Sequence, residues 1–168
     1  MAIRTARESE LGRLREIELA AGVAFAEIGM TEVADAEPPS METIRTYQRD
    51  GRAWVHVDVD DRPVGYVLID VVDRSAHVEQ VSVDPEFAGR GLGRELIEHA
   101  ASWAEDRGFS MITLTTFTEV AWNGPYYERL GFRYVNNDEL TPELRAIRAE
   151  EAALGLDEWP RAAMVRNL

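Results

Sequence analysis

The sequence predicts a mixed α/β fold, a central sheet of about six to seven strands flanked by helices. Three observations lead there. Short apolar runs separated by aspartate-rich turns fill the middle of the chain. Stretches with helical spacing lie on either side of them. A strand–helix–strand unit, with a glycine-rich turn at its first junction, supplies the crossover that a parallel strand pair needs. With 168 residues, the chain is long enough for one domain, 1–168, with a core of its own. A hydrophobic share of 45% against 29% charged excludes a disordered chain.

Ile3 to Arg7 reads as a short first strand. Glu8 to Ile28 carries helical spacing through Leu11, Leu14 and Ile17, with Ala21 and Ala24 further on. Glu37-Pro38-Pro39-Ser40 is a loop, and Ser40 is placed to cap a helix over Met41 to Arg49 that Gly51 stops. Three strands follow, Ala53 to Val59, Pro63 to Val72 and Ser75 to Val83. Tight turns at Asp60-Asp61 and Asp73-Arg74 make them antiparallel hairpins. Leu92 to Arg107 is an amphipathic helix with Leu92, Leu96, Ile97, Ala100 and Ala104 on one face, closed by Gly108. Met111 to Phe117 is a strand. Asn123 reads as the cap of a short helix with Pro125 in its first turn, ending at Gly131. Phe132 to Val135 returns as a strand, Thr141-Pro142-Glu143 opens a helix through Leu154, and Arg161 to Arg166 is the last strand.

Composition narrows the chemistry. No cysteine is present, which excludes disulfides, thiolate metal sites and cysteine nucleophiles. The three histidines fall into no ligand spacing, so no metal site is expected. The start of the chain has no apolar signal core, and no run approaches the roughly 20 apolar residues of a membrane span. These features read as a cytoplasmic protein. The formal net charge of -13 repels nucleic acid and anionic membrane and favours a cationic partner such as an amine.

Against that acidic background, Gly89-Arg90-Gly91-Leu92-Gly93-Arg94 sets two arginines among three glycines where a strand meets a helix. Such a turn aims backbone N–H groups at an anion, with the helix dipole behind them. A dinucleotide fingerprint requires a third glycine at position 94 or 96, which hold Arg and Leu, and the Walker Gly-Lys-Ser/Thr sequence is absent. A phosphate site of another kind is therefore expected; a plain tight turn is the alternative.

The stretch from Val81 to Arg94, with Val83-Asp84-Pro85 ahead of the glycines, resembles the acetyl-CoA signature of the GNAT superfamily of N-acetyltransferases. Asn123-Gly124-Pro125-Tyr126-Tyr127-Glu128-Arg129-Leu130-Gly131-Phe132 is similar to a second motif of that family. Gly91 and Gly93 match the signature, whereas Ala88 stands where the family has Gln or Arg. The resemblance implies the GNAT acyl-CoA N-acyltransferase fold, its sheet splayed near the middle, and acetyl transfer to a primary amine of a small molecule, peptide or protein. The alternative is a module of the same fold that senses acyl-CoA or a metabolite without turnover. It further implies that Gly89, Arg90, Gly91, Leu92, Gly93 and Arg94 hold the pyrophosphate. Val81, Ser82 and Val83 then pair with the pantetheine arm, Asn123 contacts it, and Tyr127 protonates the leaving thiolate. Tyr127 also suits a core position and Asn123 a helix cap. Strand alternation groups His77 and Glu79 with Val81 and Val83 on the side expected to pack inward, unless a bulge shifts the register. Glu79 first and His77 second are the candidates for a base acting through water, against a solvated strand residue. The acceptor is expected to meet the first helices and loops, about Val23 to Ser40, and the final helix-to-strand region. The helix from Thr141 covers that site, joins a homodimer contact or is simply solvated.

Overall fold

A computed structural model describes residues 2–168. In chain order the elements are β1 (Ala2–Thr5), α1 (Leu11–Glu27), α2 (Thr31–Ala34), α3 (Met41–Arg49), β2 (Ala53–Val57), β3 (Pro63–Val72), β4 (Ser75–Val83) and α4 (Leu92–Asp106). They continue with β5 (Met111–Phe117), α5 (Gly124–Arg129), β6 (Arg133–Tyr134), α6 (Pro142–Ala153) and β7 (Arg161–Asn167). The seven strands form one mixed sheet, as the sequence leads one to expect. The chain divides into two compact units, one comprising residues up to Asp70 with Glu79–Ala100, the other Val71–Val78 with Ala101–Leu168.

In the first unit β1, β2, β3 and β4 are neighbours, with β1 and β3 both antiparallel to β2. One face of these strands (Val55, Val57, Tyr66 and Leu68) buries Leu11, Leu14 and Ile17 of α1 and Ile44 of α3. Each such aliphatic contributes roughly 1.5–3 kcal/mol on leaving water. The opposite face receives α4: the Trp54 ring meets the His99 ring edge-on at 5.3 Å, and His56 Nε2 lies 2.6 Å from the Glu95 carboxylate. Gly65 is required there, because a Cβ would come within 3.3 Å of Leu96 and 3.2 Å of the Ser82 carbonyl oxygen. Ser40 caps α3 as expected, its hydroxyl accepting from the Thr43 N–H.

In the second unit the start of β4 pairs in parallel with β5, Ala76 opposite Ile112 and His77 opposite Thr113. β7 lies antiparallel between β5 and β6. Helix α6 is no plain solvated helix. The Asp73 carboxylate accepts from the Glu143 N–H while Asp73 N–H donates to the Glu143 carboxylate, so the β-turn caps the helix from outside. Further along, Glu151 accepts from Arg161, Arg148 and Thr115.

The turns explain why β3 begins and ends, and β4 begins, where expected. Asp61, Asp73 and Arg74 adopt positive φ, the left-handed region that a tight hairpin of the right twist demands. The differences lie at ends: β2 stops at Val57, β6 shrinks to two residues, and a separate 3-10 turn at Glu8–Glu10 precedes α1.

Gly124, at the start of α5, is the most confined glycine. A methyl there would strike the Tyr134 hydroxyl and come within 3.1 Å of the Phe117 carbonyl oxygen. A Gly124→Ala variant is expected to lose about 1–3 kcal/mol of stability through overpacking. Urea unfolding measures it; an unchanged midpoint would show that α5 shifts freely.

Candidate functional site

In the first unit the glycine-rich turn is exposed, with Gly89 at φ 76° and Gly91 at φ 79°. Nothing lies within 4 Å of the position a Cβ would take at either residue, so the turn borders open space. The Gly91 carbonyl accepts the Glu95 N–H at 3.1 Å, making it the first acceptor of α4. Helix geometry then leaves the N–H groups of Leu92, Gly93 and Arg94 with no acceptor four residues back. Arg90 stacks its guanidinium over the Phe87 ring at 5.0 Å, beside those donors. The arrangement suits a diphosphate, which needs several donors and positive charge in a small arc.

The turn is held from below. Asp84, buried at its start, accepts from the Glu86 N–H and from Arg13 on α1 at 2.7 Å. Burial would raise the Asp84 carboxyl, but the bonds from Arg13 and Glu86 hold it below the ordinary carboxylate range. The stabilisation is therefore complete above the unfolded value of about 3.9 and is lost as pH falls through the lower folded value. An Arg13→Ala variant is expected to be less stable by about 1 kcal/mol at neutral pH, the upper end for a partly exposed pair. The deficit should shrink in acid; a difference that persists there would separate Arg13 from Asp84.

The structure corrects the facing of β4. The Val81 and Val83 side is not the buried one: both are intermediate in exposure, whereas Ser82 is buried. Gln80 and Ser82 point at Glu18 of α1, together with Tyr66 of β3. Three neutral groups donate to that carboxylate: Tyr66 Oη at 2.9 Å, Gln80 Nε2 at 2.9 and 3.0 Å, and Ser82 Oγ at 2.5 Å. Burial, and after it the Glu18 charge, push the Tyr66 hydroxyl well above its usual pKa, so it stays a donor. Glu18 was not among the expected site residues, although a signal for it existed. Leu11, Leu14 and Glu18 follow i, i+3, i+7 spacing, which puts a carboxylate on the apolar face of α1.

Glu79 is exposed. After burial, its charge and that of Asp70 raise the Tyr47 hydroxyl, and Asp70 accepts a bond from that hydroxyl at 3.3 Å.

In the second unit His77 is 2% exposed, with Nδ1 2.8 Å from Thr113 Oγ1, which is a core position and not a solvated one. Asn123 is the N-cap residue of α5, as expected, although its side chain makes no capping hydrogen bond. Its carbonyl accepts the Tyr127 N–H at 2.9 Å. Tyr127 is buried, its ring edge-on to Tyr126 at 5.4 Å and to Phe132 at 6.0 Å. Among the described residues no group of three or more His, Asp or Glu side chains is arranged to hold a metal ion. No helix among the described residues is long and apolar enough to cross a membrane.

Comparison with known proteins agrees with this layout. Residues 15–132 match the acetyltransferase (GNAT) family. A peptidyl-lysine N-acetyltransferase, YjaB of Escherichia coli, is 27% identical over 99 residues, 59% of this chain and 61% of that protein. The ribosomal protein bS18-alanine N-acetyltransferase of Salmonella typhimurium is 34% identical over 99 residues, 59% of this chain and 67% of that protein. The chain thus spans about three fifths of the first of these relatives. The paia N-acetyltransferase of Thermoplasma acidophilum, solved in complex with coenzyme A, superposes with a TM-score of 0.72 at 13% identity, covering 99% of this chain and 98% of that one. At that identity the likeness speaks for the fold.

Proposed function

The chain belongs to the acetyltransferase (GNAT) family, and from that membership we propose that it is an acetyl-CoA-dependent N-acetyltransferase acting on an amine of a small molecule, peptide or protein. The observation that carries the reading is the exposed turn with two left-handed glycines at the mouth of α4, where three helix N–H groups and Arg90 converge beside open space. Acetyl-CoA supplies a thioester: the amine nitrogen bonds to its carbonyl carbon, the carbon–sulfur bond breaks, and the proton lost by nitrogen balances the one gained by sulfur.

The chain's own residues have four tasks. Gly89, Arg90, Gly91, Leu92, Gly93 and Arg94 hold the pyrophosphate through main-chain donors and local positive charge. The backbone of Val81, Ser82 and Val83, with the Asn123 side chain, pairs with the pantetheine arm. Tyr127 gives a proton to the departing thiolate, a suitable task for a phenol of ordinary pKa about 10. Glu79 takes the amine proton through water. Its exposure supports it over His77, which is buried against Thr113. Ala88 supplies no side-chain donor, so the grip rests on the main chain. The acidic chain fits a cytoplasmic enzyme with a cationic acceptor.

Release of CoA thiol from acetyl-CoA over a panel of amines tests the proposal. Turnover with at least one amine is expected. Tight CoA binding with no thiol released by any amine would instead indicate a sensor.

A further inference from the structure

We propose that Glu18 selects a positively charged acceptor, receiving the ammonium group of the incoming amine on its Oε1 atom. The inference rests on the acetyltransferase reading for the identity of the ligand, and on the first unit alone for its geometry.

The partners of Glu18 set it apart. Other well-covered carboxylates of the chain meet arginine: Glu10 with Arg4 at 2.6 Å, Asp84 with Arg13 at 2.7 Å, and Glu151 with Arg161 at 2.8 Å. Glu18 is half-buried, yet the donors that reach it, Tyr66, Gln80 and Ser82, are all neutral. The arginines nearest it on α1 are committed elsewhere, Arg13 to Asp84 and Arg15 to the Pro39 carbonyl. Hydrogen bonds from neutral groups orient a carboxylate and offset its desolvation, but they leave its full negative charge. A cation is the complement of such a group.

The bonding is lopsided in a useful way. Oε2 accepts from Tyr66, Gln80 and Ser82, whereas Oε1 accepts only from Gln80, at 3.0 Å. A carboxylate has about four acceptor positions, so Oε1 retains capacity for an N–H donor. Tyr66 is fully buried and fixes the side chain from β3, while Gln80 and Ser82 fix it from β4. Those two residues flank Val81, on the strand assigned to the pantetheine arm. An ammonium on Oε1 therefore sits against the strand that presents the donor, and gives up its proton before it attacks.

The test compares two acceptors of different charge. Phenethylamine is an ammonium at neutral pH, whereas 4-methoxyaniline is neutral there. For Glu18→Gln the KM of phenethylamine is expected to rise on the order of tenfold or more, while that of 4-methoxyaniline and the Kd of CoA stay within about twofold. Glu18→Asp keeps the charge, and is expected to retain the preference for phenethylamine over 4-methoxyaniline even if it binds both less well. Equal changes for the two amines in Glu18→Gln, or no change for either, would overturn the proposal and leave Glu18 as an anchor of α1.

Calorimetric titration of phenethylamine into the CoA-saturated protein reads the same contact without turnover. A weaker Kd in Glu18→Gln than in wild type supports the proposal, and equal values overturn it. A wild-type protein that binds phenethylamine through Glu18 but releases no thiol with any amine of the panel would sink the transferase reading and spare this one. All eighteen basic residues are arginine, so no side-chain amine of the protein competes as acceptor in the assay.

Discussion

Gly91→Glu is expected to bind CoA on the order of a hundredfold more weakly than wild type, or not measurably. Two costs combine. At φ 79° any side chain strains the backbone, typically by about 1–3 kcal/mol. The added carboxylate also points a negative charge into the open space beside the helix N–H groups, where the pyrophosphate would bind. Gly91→Ala separates the two, because it carries the strain without the charge; it should lose roughly tenfold or less. Titration calorimetry with CoA measures both, and circular dichroism confirms that α4 persists. Affinity within twofold of wild type for Gly91→Glu would remove the diphosphate from this turn. No Cβ clash complicates the reading, since no heavy atom lies within 4 Å of the position.

Tyr127→Phe is expected to lower kcat by tenfold or more, in the range of lost general-acid catalysis, with CoA affinity unchanged. The substitution keeps the aromatic ring. Its edge contacts with Tyr126 and Phe132 survive in phenylalanine, so the melting temperature should hold. A kcat equal to wild type would make Tyr127 a core residue that happens to carry a hydroxyl. A fall in kcat accompanied by a fall in stability would point the same way.

The strands were legible where turn chemistry brackets them. Asp60-Asp61 and Asp73-Arg74 mark β3 at both ends and β4 at its start, and positive φ at Asp61, Asp73 and Arg74 is the reason such residues gather there. The glycine turn was legible because a strand, glycines and an amphipathic helix follow one another with only a short 3-10 turn at Pro85–Phe87 between strand and glycines. The facing of β4 was not. Period-two alternation says which residues share a side, but not which side a distant helix will cover with a polar group. Ser82 is buried because Glu18 meets it from 64 positions away. Sequence separation likewise hid the His56–Glu95 pair, which is 39 residues apart. Asn123 was legible in position only: Asn before Gly-Pro is the N-cap residue of α5, but at φ -116° and ψ -113° its side chain makes no capping bond.

Helix α1 carries Arg13 and Glu18 little more than one turn apart. The first fixes Asp84 beneath the glycine turn, and the second meets Gln80 and Ser82 on the strand. If the proposed sites hold, one helix bears on both ligands, and occupancy by either should alter the affinity for the other. Thermodynamic reciprocity requires the two enhancement factors to be equal. The expected signature is synergy between nucleotide and amine, visible as a dissociation constant for each that depends on the concentration of the other.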